Sequence, residues 1–366
     1  MPWVDSLLER MLEVDASDLH LASETKPMFR IHGDMVVLTD QPEIPADRMR
    51  RCLAEITPER NWEEFEKDHD TDFAYDNGCG RFRCNLFVDR KGPAAVLRHI
   101  PSQAPTVEQL KLPQALVNFC YLNRGLVVVT GPAGSGKTTT LAALVNHINH
   151  SRSAHIITIE DPIEYVHENK KCLISQREVH RHTGSFKQAL RAALREDPDI
   201  ILLGEMRDLE TMEIALEAAE TGHLVFGTLH TNTAASTVDR IIDQFSGERQ
   251  AQIRTMLAGT LKGVVAQTLC KTLWNSRVVA VEVLVVNAAI ASHVRESKTH
   301  QIPSTIQLGK GIGMQLLNES LLEHVVNSVI DPMEAYFKAV DKLDMLQRLK
   351  AAGHVVDITK LVGGID

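Results

Sequence analysis

The sequence has no apolar run near the roughly 20 residues that a membrane-spanning helix requires. Its opening stretch carries acids early and no apolar core, so neither a span nor a secretory signal is expected. Cys-x-x-Cys pairs are missing: Cys52, Cys79, Cys84, Cys120, Cys172 and Cys270 are scattered, which argues against a structural zinc site. Cys79 and Cys84 are the nearest two, and in their turn-and-strand setting they read as reduced core thiols rather than a bridge. Scattered thiols of this kind fit a reducing compartment. Positive charge is short as well. A net charge of −9 leaves no basic footprint for a broad nucleic-acid surface, so no nucleic-acid partner is expected. Internal repeats and low-complexity tracts are also lacking. What is present is ordinary for a globular chain: 366 residues, 44% hydrophobic and 24% charged, enough for two domains. The expectation is a cytoplasmic protein that meets membranes only through a partner.

The most informative stretch is Gly131-Pro-Ala-Gly-Ser-Gly-Lys-Thr138. An apolar run, 126–129, precedes it, and a helical run, 139–149, follows. Strand, glycine-rich turn and helix form the context of a phosphate-binding loop. Gly131, Gly134 and Gly136 permit backbone conformations closed to other residues, so the N–H groups of the loop, including those of Ala133, Ser135 and Thr139, can turn toward phosphate oxygens at a helix N-terminus. Lys137 brings a point charge to the β- and γ-phosphates, and the Thr138 hydroxyl suits Mg²⁺. The predicted ligands are ATP, or GTP, and Mg²⁺.

Before the loop, helical spacing marks residues 3–14, 45–53 and 62–67, and alternation marks strands at 17–21, 28–31, 36–38, 71–75, 80–89 and 94–99. Asp76-Asn-Gly reads as a hairpin turn between two of them. Residues 1–100 are thus a small α+β domain with a mostly antiparallel sheet. Residues 101–113 hold three prolines and little periodicity and read as a linker. From 114 to 366, helices at 115–122, 185–196 and 209–221 alternate with apolar strands at 154–159, 199–203 and 224–229. Such alternation predicts an α/β domain with a parallel sheet covered on both faces. After residue 237 the chain reads as mainly helical to about 350, with a strand or buried segment at 278–286.

A nucleotide triphosphatase needs a carboxylate near Mg²⁺ and a group that aligns water. Glu205 follows the apolar strand 200–203, and Glu160, Asp161 and Glu164 follow the strand before it. Each cluster by itself could be a solvated strand end. Two of them after strands downstream of a phosphate loop point to an active site, with Glu205 acting on the metal and Glu164 or Glu160 on water. His230 ends the strand 224–229 and suits a γ-phosphate sensor; His223 lies at the strand's other end, where this geometry gives it no place. Arg81 and Arg83 share a sheet face by the period of two, and Arg98 lies on a neighbouring strand. They are either a solvated face or a source of positive charge for phosphates held by the other domain or a neighbouring subunit.

With these segments in view the chain resembles the secretion ATPase superfamily, most closely its PilT-type type IV pilus retraction ATPases, over nearly its whole length. Residues 131–138 match the Walker A motif, 157–167 the family's Asp box, 194–208 its atypical Walker B with Glu205, and 221–230 its His box. The resemblance implies a RecA-like P-loop NTPase domain behind a PAS-like N-terminal domain, and a catalytic role for His223. It also implies that Arg81, Arg83 and Arg98 reach nucleotide, and that the Mg²⁺ contact of Glu205 runs partly through water. It further implies a homohexamer that hydrolyses ATP to power pilus retraction and twitching motility. The ring would sit at the cytoplasmic face of the inner membrane on a pilus platform protein, with a paralogous pilus ATPase as a further partner. The alternatives are a related type II or type IV secretion motor, or an accessory ring subunit. One departure stands out: the retraction motif Ala-Ile-Arg-Asn-Leu-Ile-Arg-Glu appears as Ala289-Ile-Ala-Ser-His-Val-Arg-Glu296, so only its ends agree. The tail from about 341 also runs past the family pattern.

Overall fold

Alternating apolar residues near the N-terminus produce a sheet with one dry face, as a period of two requires. In the computed structural model, which describes residues 2–356 apart from His32, Ser102, Asn275 and Val355, the chain divides into two compact units. One runs to Gln103 and takes in Pro162–Val166; the other holds Ala104–Asp161 and the chain from His167 on.

The first unit contains, in order, α1 (Trp3–Glu13), β1 (Asp18–Ala22), β2 (Met28–Ile31), β3 (Asp34–Val37), α2 (Ala46–Ile56), α3 (Glu59–Asp68), β4 (Asp70–Asp76), β5 (Arg81–Asp89) and β6 (Gly92–Ile100). The strands form one sheet in the order β3-β2-β1-β6-β5-β4, with every neighbouring pair antiparallel. Leu19, Leu21, Phe82, Cys84, Leu86 and Leu97 belong to a core that also takes Leu7, Leu8 and Met11 of α1 and Met49 and Leu53 of α2. The turn after β4 is longer than a two-residue hairpin: Asn77 N–H donates to Gly80 O (3.3 Å), and the Asn77 side chain accepts from the N–H groups of Cys79 and Gly80. Cys79 is exposed, so it is no core thiol; all six cysteines are free.

The second unit contains α4 (Gln114–Phe119), β7 (Gly125–Thr130), α5 (Lys137–Ser151), β8 (His155–Glu160), β9 (Leu173–Glu178), α6 (Phe186–Ala193), β10 (Ile200–Leu203) and α7 (Leu209–Thr221). It continues with β11 (Leu224–Leu229), α8 (Ala234–Asp243), α9 (Gly247–Thr260), β12 (Leu261–Lys271), β13 (Arg277–Val285) and α10 (Ala288–Arg295). It ends with α11 (Ile302–Leu308), α12 (Leu317–Val326), α13 (Pro332–Lys338) and α14 (Lys342–Ala351). The sheet order is β13-β12-β7-β11-β10-β8-β9, parallel throughout except for β13. Leu126 and Val128 join the core on one face with α6 to α9, and Val127 and Val129 the core on the other with α4 and α5. Covered on both sides, β7 and β11 are buried at every position, which is why they read as unbroken apolar runs.

Three sequence expectations change here. Residues 261–271, expected within the helical C-terminal part, form β12, paired along β7. A continuous apolar run cannot tell a buried strand from a buried helix, and the vacant edge of β7 decides it. The strand β9 went unpredicted because its polar sequence has no dry face and it is held through pairing with β8. Residues 104–112, expected as part of a linker, belong to the second unit: Val107 is buried, and Leu110 and Leu112 pack against the core that holds Leu116 and Phe119. The altered motif at 289–296 forms α10, anchored by buried Ile290 and Val294. The tail beyond 356 lies outside the described residues.

Candidate active site

The phosphate loop joins β7 to α5, and its three glycines all have positive φ: 147° at Gly131, 73° at Gly134 and 85° at Gly136. At Gly131 a side chain is excluded twice over, since a Cβ would lie 2.3 Å from Gln267 O and 2.6 Å from Ser135 Oγ. The tip, Pro132 to Gly134, is exposed, whereas Ser135 is buried. Lys137 donates to the carbonyls of Gly131 (2.9 Å) and Pro132 (3.0 Å), which keeps its ammonium at the mouth of the loop. The helix α5 starts from Gly136 with no side-chain cap and no acid in its first turn. Its N-terminal N–H groups and the positive end of its dipole therefore face no carboxylate of their own, the condition an anion requires.

Gln267 was not anticipated. It stands in the apolar strand β12, 3% exposed, and its Nε2 donates to Ser135 O (2.7 Å), bracing the floor of the loop. The only sequence signal was a lone amide within an apolar run, and it carried weight only once that run was known to be a strand beside β7. Gln267 Oε1 and Ser135 Oγ are both buried without a hydrogen-bond partner among the described residues. Burying such atoms costs about 1–3 kcal/mol each, which suits a loop built around a polar ligand.

Because β7, β11, β10 and β8 are parallel neighbours, their C-terminal ends open on one edge of the sheet. Glu205 follows β10 and His230 follows β11, and the two meet: His230 Nε2 lies 2.9 Å from Glu205 Oε1, while Arg207 Nε lies 2.6 Å from Oε2. Burial opposes charge on Glu205, but the Arg207 and His230 contacts outweigh it and hold the carboxyl below the usual carboxylate range. The Glu205 backbone is clamped between strands: Thr228 Oγ1 donates to Gly204 O, and Met206 N–H donates to Thr228 O. Gly204 permits this approach, since a Cβ there would lie 3.2 Å from Ile159 O and 3.3 Å from Glu160 Cα.

The other predicted residues fall in different places. Glu160 ends β8 on the same edge; it is 7% exposed and its Oε1 accepts from Thr158 Oγ1 (2.6 Å) and Gln176 Nε2 (3.2 Å). Glu164 belongs to the first unit, within Pro162–Val166. His223 sits at the start of β11, and six strand residues at about 3.3 Å each put it some 20 Å from the edge where His230 lies. Its Nδ1 lies 3.0 Å from Ala218 O, so it finishes α7, and the structure does not bring it to the loop. Arg81, Arg83 and Arg98 lie on β5 and β6 of the first unit, with Arg83 directly opposite Arg98. That row continues through buried Asp18, bonded to Arg98 at 2.7 Å, to Arg30, a fourth arginine that alternation had not singled out. Arg83 is also paired at 3.6 Å with Asp72. Like charges face to face on a sheet are unfavourable, and Asp18 and Asp72 together offset only part of the row.

Among the described residues no group of three or more His, Cys, Asp or Glu side chains could hold a metal ion. Both oxygens of Glu205 already meet donors, Arg207 and His230.

The type II/IV secretion system protein family matches residues 1–342. The chain is 47% identical over 337 residues to the type IV pilus retraction ATPase PilT of Pseudomonas aeruginosa, covering 92% of this chain and 98% of that protein. It is also 47% identical over 321 residues to a twitching motility protein of Neisseria gonorrhoeae, covering 87% and 86%. Among solved structures, the pilus retraction motor PilT with bound ADP superimposes with a TM-score of 0.87 at 43% identity, covering 93% of this chain and 97% of that one. Fold, phosphate loop and relatives agree: the chain belongs to the type II/IV secretion system protein family, the secretion ATPases.

Proposed function

We propose that this protein hydrolyses ATP as a homohexameric motor and powers retraction of type IV pili. The observation that carries the reading is the glycine cradle at Gly131 with the Glu205–His230 pair on the neighbouring strand ends, in a chain that spans the retraction ATPase PilT almost end to end.

The loop amides from Ala133 to Thr139 and the start of α5 hold the phosphates, and Lys137 exchanges its carbonyl partners for β- and γ-phosphate oxygens. Thr138 and, through water, Glu205 would hold Mg²⁺, which would supply charge neutralisation to the phosphates. His230, fixed by Glu205, reads the γ-phosphate. Glu160 orients water from the strand edge, and Glu164 is the candidate for the same task from the first unit. His223 serves the strand start and α7 rather than the chemistry. Arg81, Arg83 and Arg98 supply positive charge to phosphate; the crowding of Arg83, Arg98 and Arg30 on one row is relieved when an anion joins them. The cargo is pilin, drawn into the inner membrane by a platform protein, with a paralogous pilus ATPase as second motor. Among the described residues no helix is long and apolar enough to cross a membrane, so contact with the bilayer is assigned to that platform.

The test is Lys137→Ala at the native locus, read as surface pili and surface motility. More pili with motility lost is the expected outcome. Fewer pili would instead mean assembly, and an unchanged count would mean secretion or an accessory ring.

A further inference from the structure

A buried carboxylate outside the catalytic set lies under the loop that carries His230. Glu282, on β13, is 6% exposed and shares its sheet face with Leu284, in the midst of the apolar core. Burial pushes its carboxyl up, while the N–H groups of Ala234 and Leu317 pull the other way. Its Oε1 accepts from Ala234 N–H at 2.7 Å. Ala234 is the first residue of α8 and Leu317 the first of α12, so one carboxylate addresses the N-termini of two helices.

The register explains how this touches the site. Leu229, Thr130, Ala266 and Glu282 form one row across β11, β7, β12 and β13. Thr130 Oγ1 lies 2.8 Å from both the N–H and the carbonyl of Thr231, and 2.7 Å from its hydroxyl. Thr231 Oγ1 then meets Thr237 Oγ1 (2.7 Å), which donates to Thr233 O (2.7 Å). His230 lies between Leu229 and Thr231, so this row grips the loop before α8 from Thr130 and the start of α8 from Glu282, with small Ala266 between them. Helix stability alone does not call for the carboxylate. The start of α8 already has a capping box, Thr233 with Ser236, and an apolar residue of similar volume in that core would avoid the cost of burying charge.

We propose that Glu282 is a positioning residue for ATP hydrolysis: it fixes the start of α8, and through it the loop 230–233, against β13, so that His230 keeps its place beside Glu205. This rests on the reading of His230 as the γ-phosphate sensor.

The test uses the full chain with ATP and Mg²⁺, and ADP as binding probe. Glu282→Ala lowers kcat about tenfold, while KM for ATP and Kd for ADP stay within about twofold, since the phosphate loop is untouched. Glu282→Gln keeps an acceptor for Ala234 N–H and loses about two- to fivefold in kcat; it decides the matter if the alanine variant does not fold. In a His230→Ala background neither substitution reduces kcat further, because both act through the same side chain. Additive losses there, or a rise in KM with kcat unchanged, would overturn the proposal while leaving the sensor reading intact. Wild-type kcat in His230→Ala by itself would instead sink the sensor reading, and the proposal with it.

Discussion

A single backbone position shows how closely the loop is built. Gly131 has φ 147° with Gln267 O and Ser135 Oγ where a Cβ would go, whereas Gly134, at φ 73°, has nothing within 4 Å. Gly131→Ala must therefore move the loop off β12, at a cost of about 1–3 kcal/mol, and fluorescent-ADP titration should show binding weakened by at least about tenfold. Gly134→Ala carries only the penalty of the left-handed region, about 1–2 kcal/mol, and should bind far better. The reverse order would mean that β12 does not brace the loop. The glycines, Lys137 and Thr138 were legible because a phosphate loop is local: its spacing is its geometry. Gln267 was not, because its amide matters only through pairing between residues more than a hundred positions apart.

At the scale of elements, β12 departs furthest from the sequence expectation. Its place is set by a neighbour, as Gly263 shows: a Cβ there would lie 2.2 Å from the ring of Phe119, which crosses the strand from α4. Gly263→Val should destabilise the second unit strongly, and Phe119→Ala alone should cost about 3–5 kcal/mol through the cavity it leaves. The double variant should lose clearly less than the sum, because each change makes room for the other. Thermal unfolding of the four proteins measures this coupling; strict additivity would mean that ring and strand do not share the space. Helices such as α7 and strands such as β11 were predictable to the residue, since Asp208 and Gly222 cap the one and helices on both faces keep the other apolar. The strand β9 was not, because its polar sequence gives no alternation to read and its pairing with β8 places it.

For the molecule as a whole, half-buried imidazoles set an acid limit on stability. Burial lowers His99 and His20, and burial with nearby Lys170 lowers His167 to about 4. Each stays neutral in the folded chain at pH values where the unfolded chain takes up a proton. Stability is therefore fully present above about pH 6.5 and is lost as pH falls toward the folded value. For His167 the loss between pH 7.5 and pH 5 is on the order of 1–2 kcal/mol. Urea unfolding at the two pH values should show a smaller drop for His167→Gln than for the wild type; equal drops would mean the imidazole is as solvated folded as unfolded.

By itself the sequence determined the phosphate loop, the α/β alternation with apolar strands, the acids after β8 and β10, and the histidine after β11, because each is written within a few consecutive residues. Tertiary structure alone decided that Glu205 is held between Arg207 and His230, and that Glu164 lies with the first unit. It also lined up Thr130, Ala266 and Glu282 in one row beneath α8. Those relations depend on strand order and register, which follow from burying both faces of a sheet whose neighbours are distant in sequence.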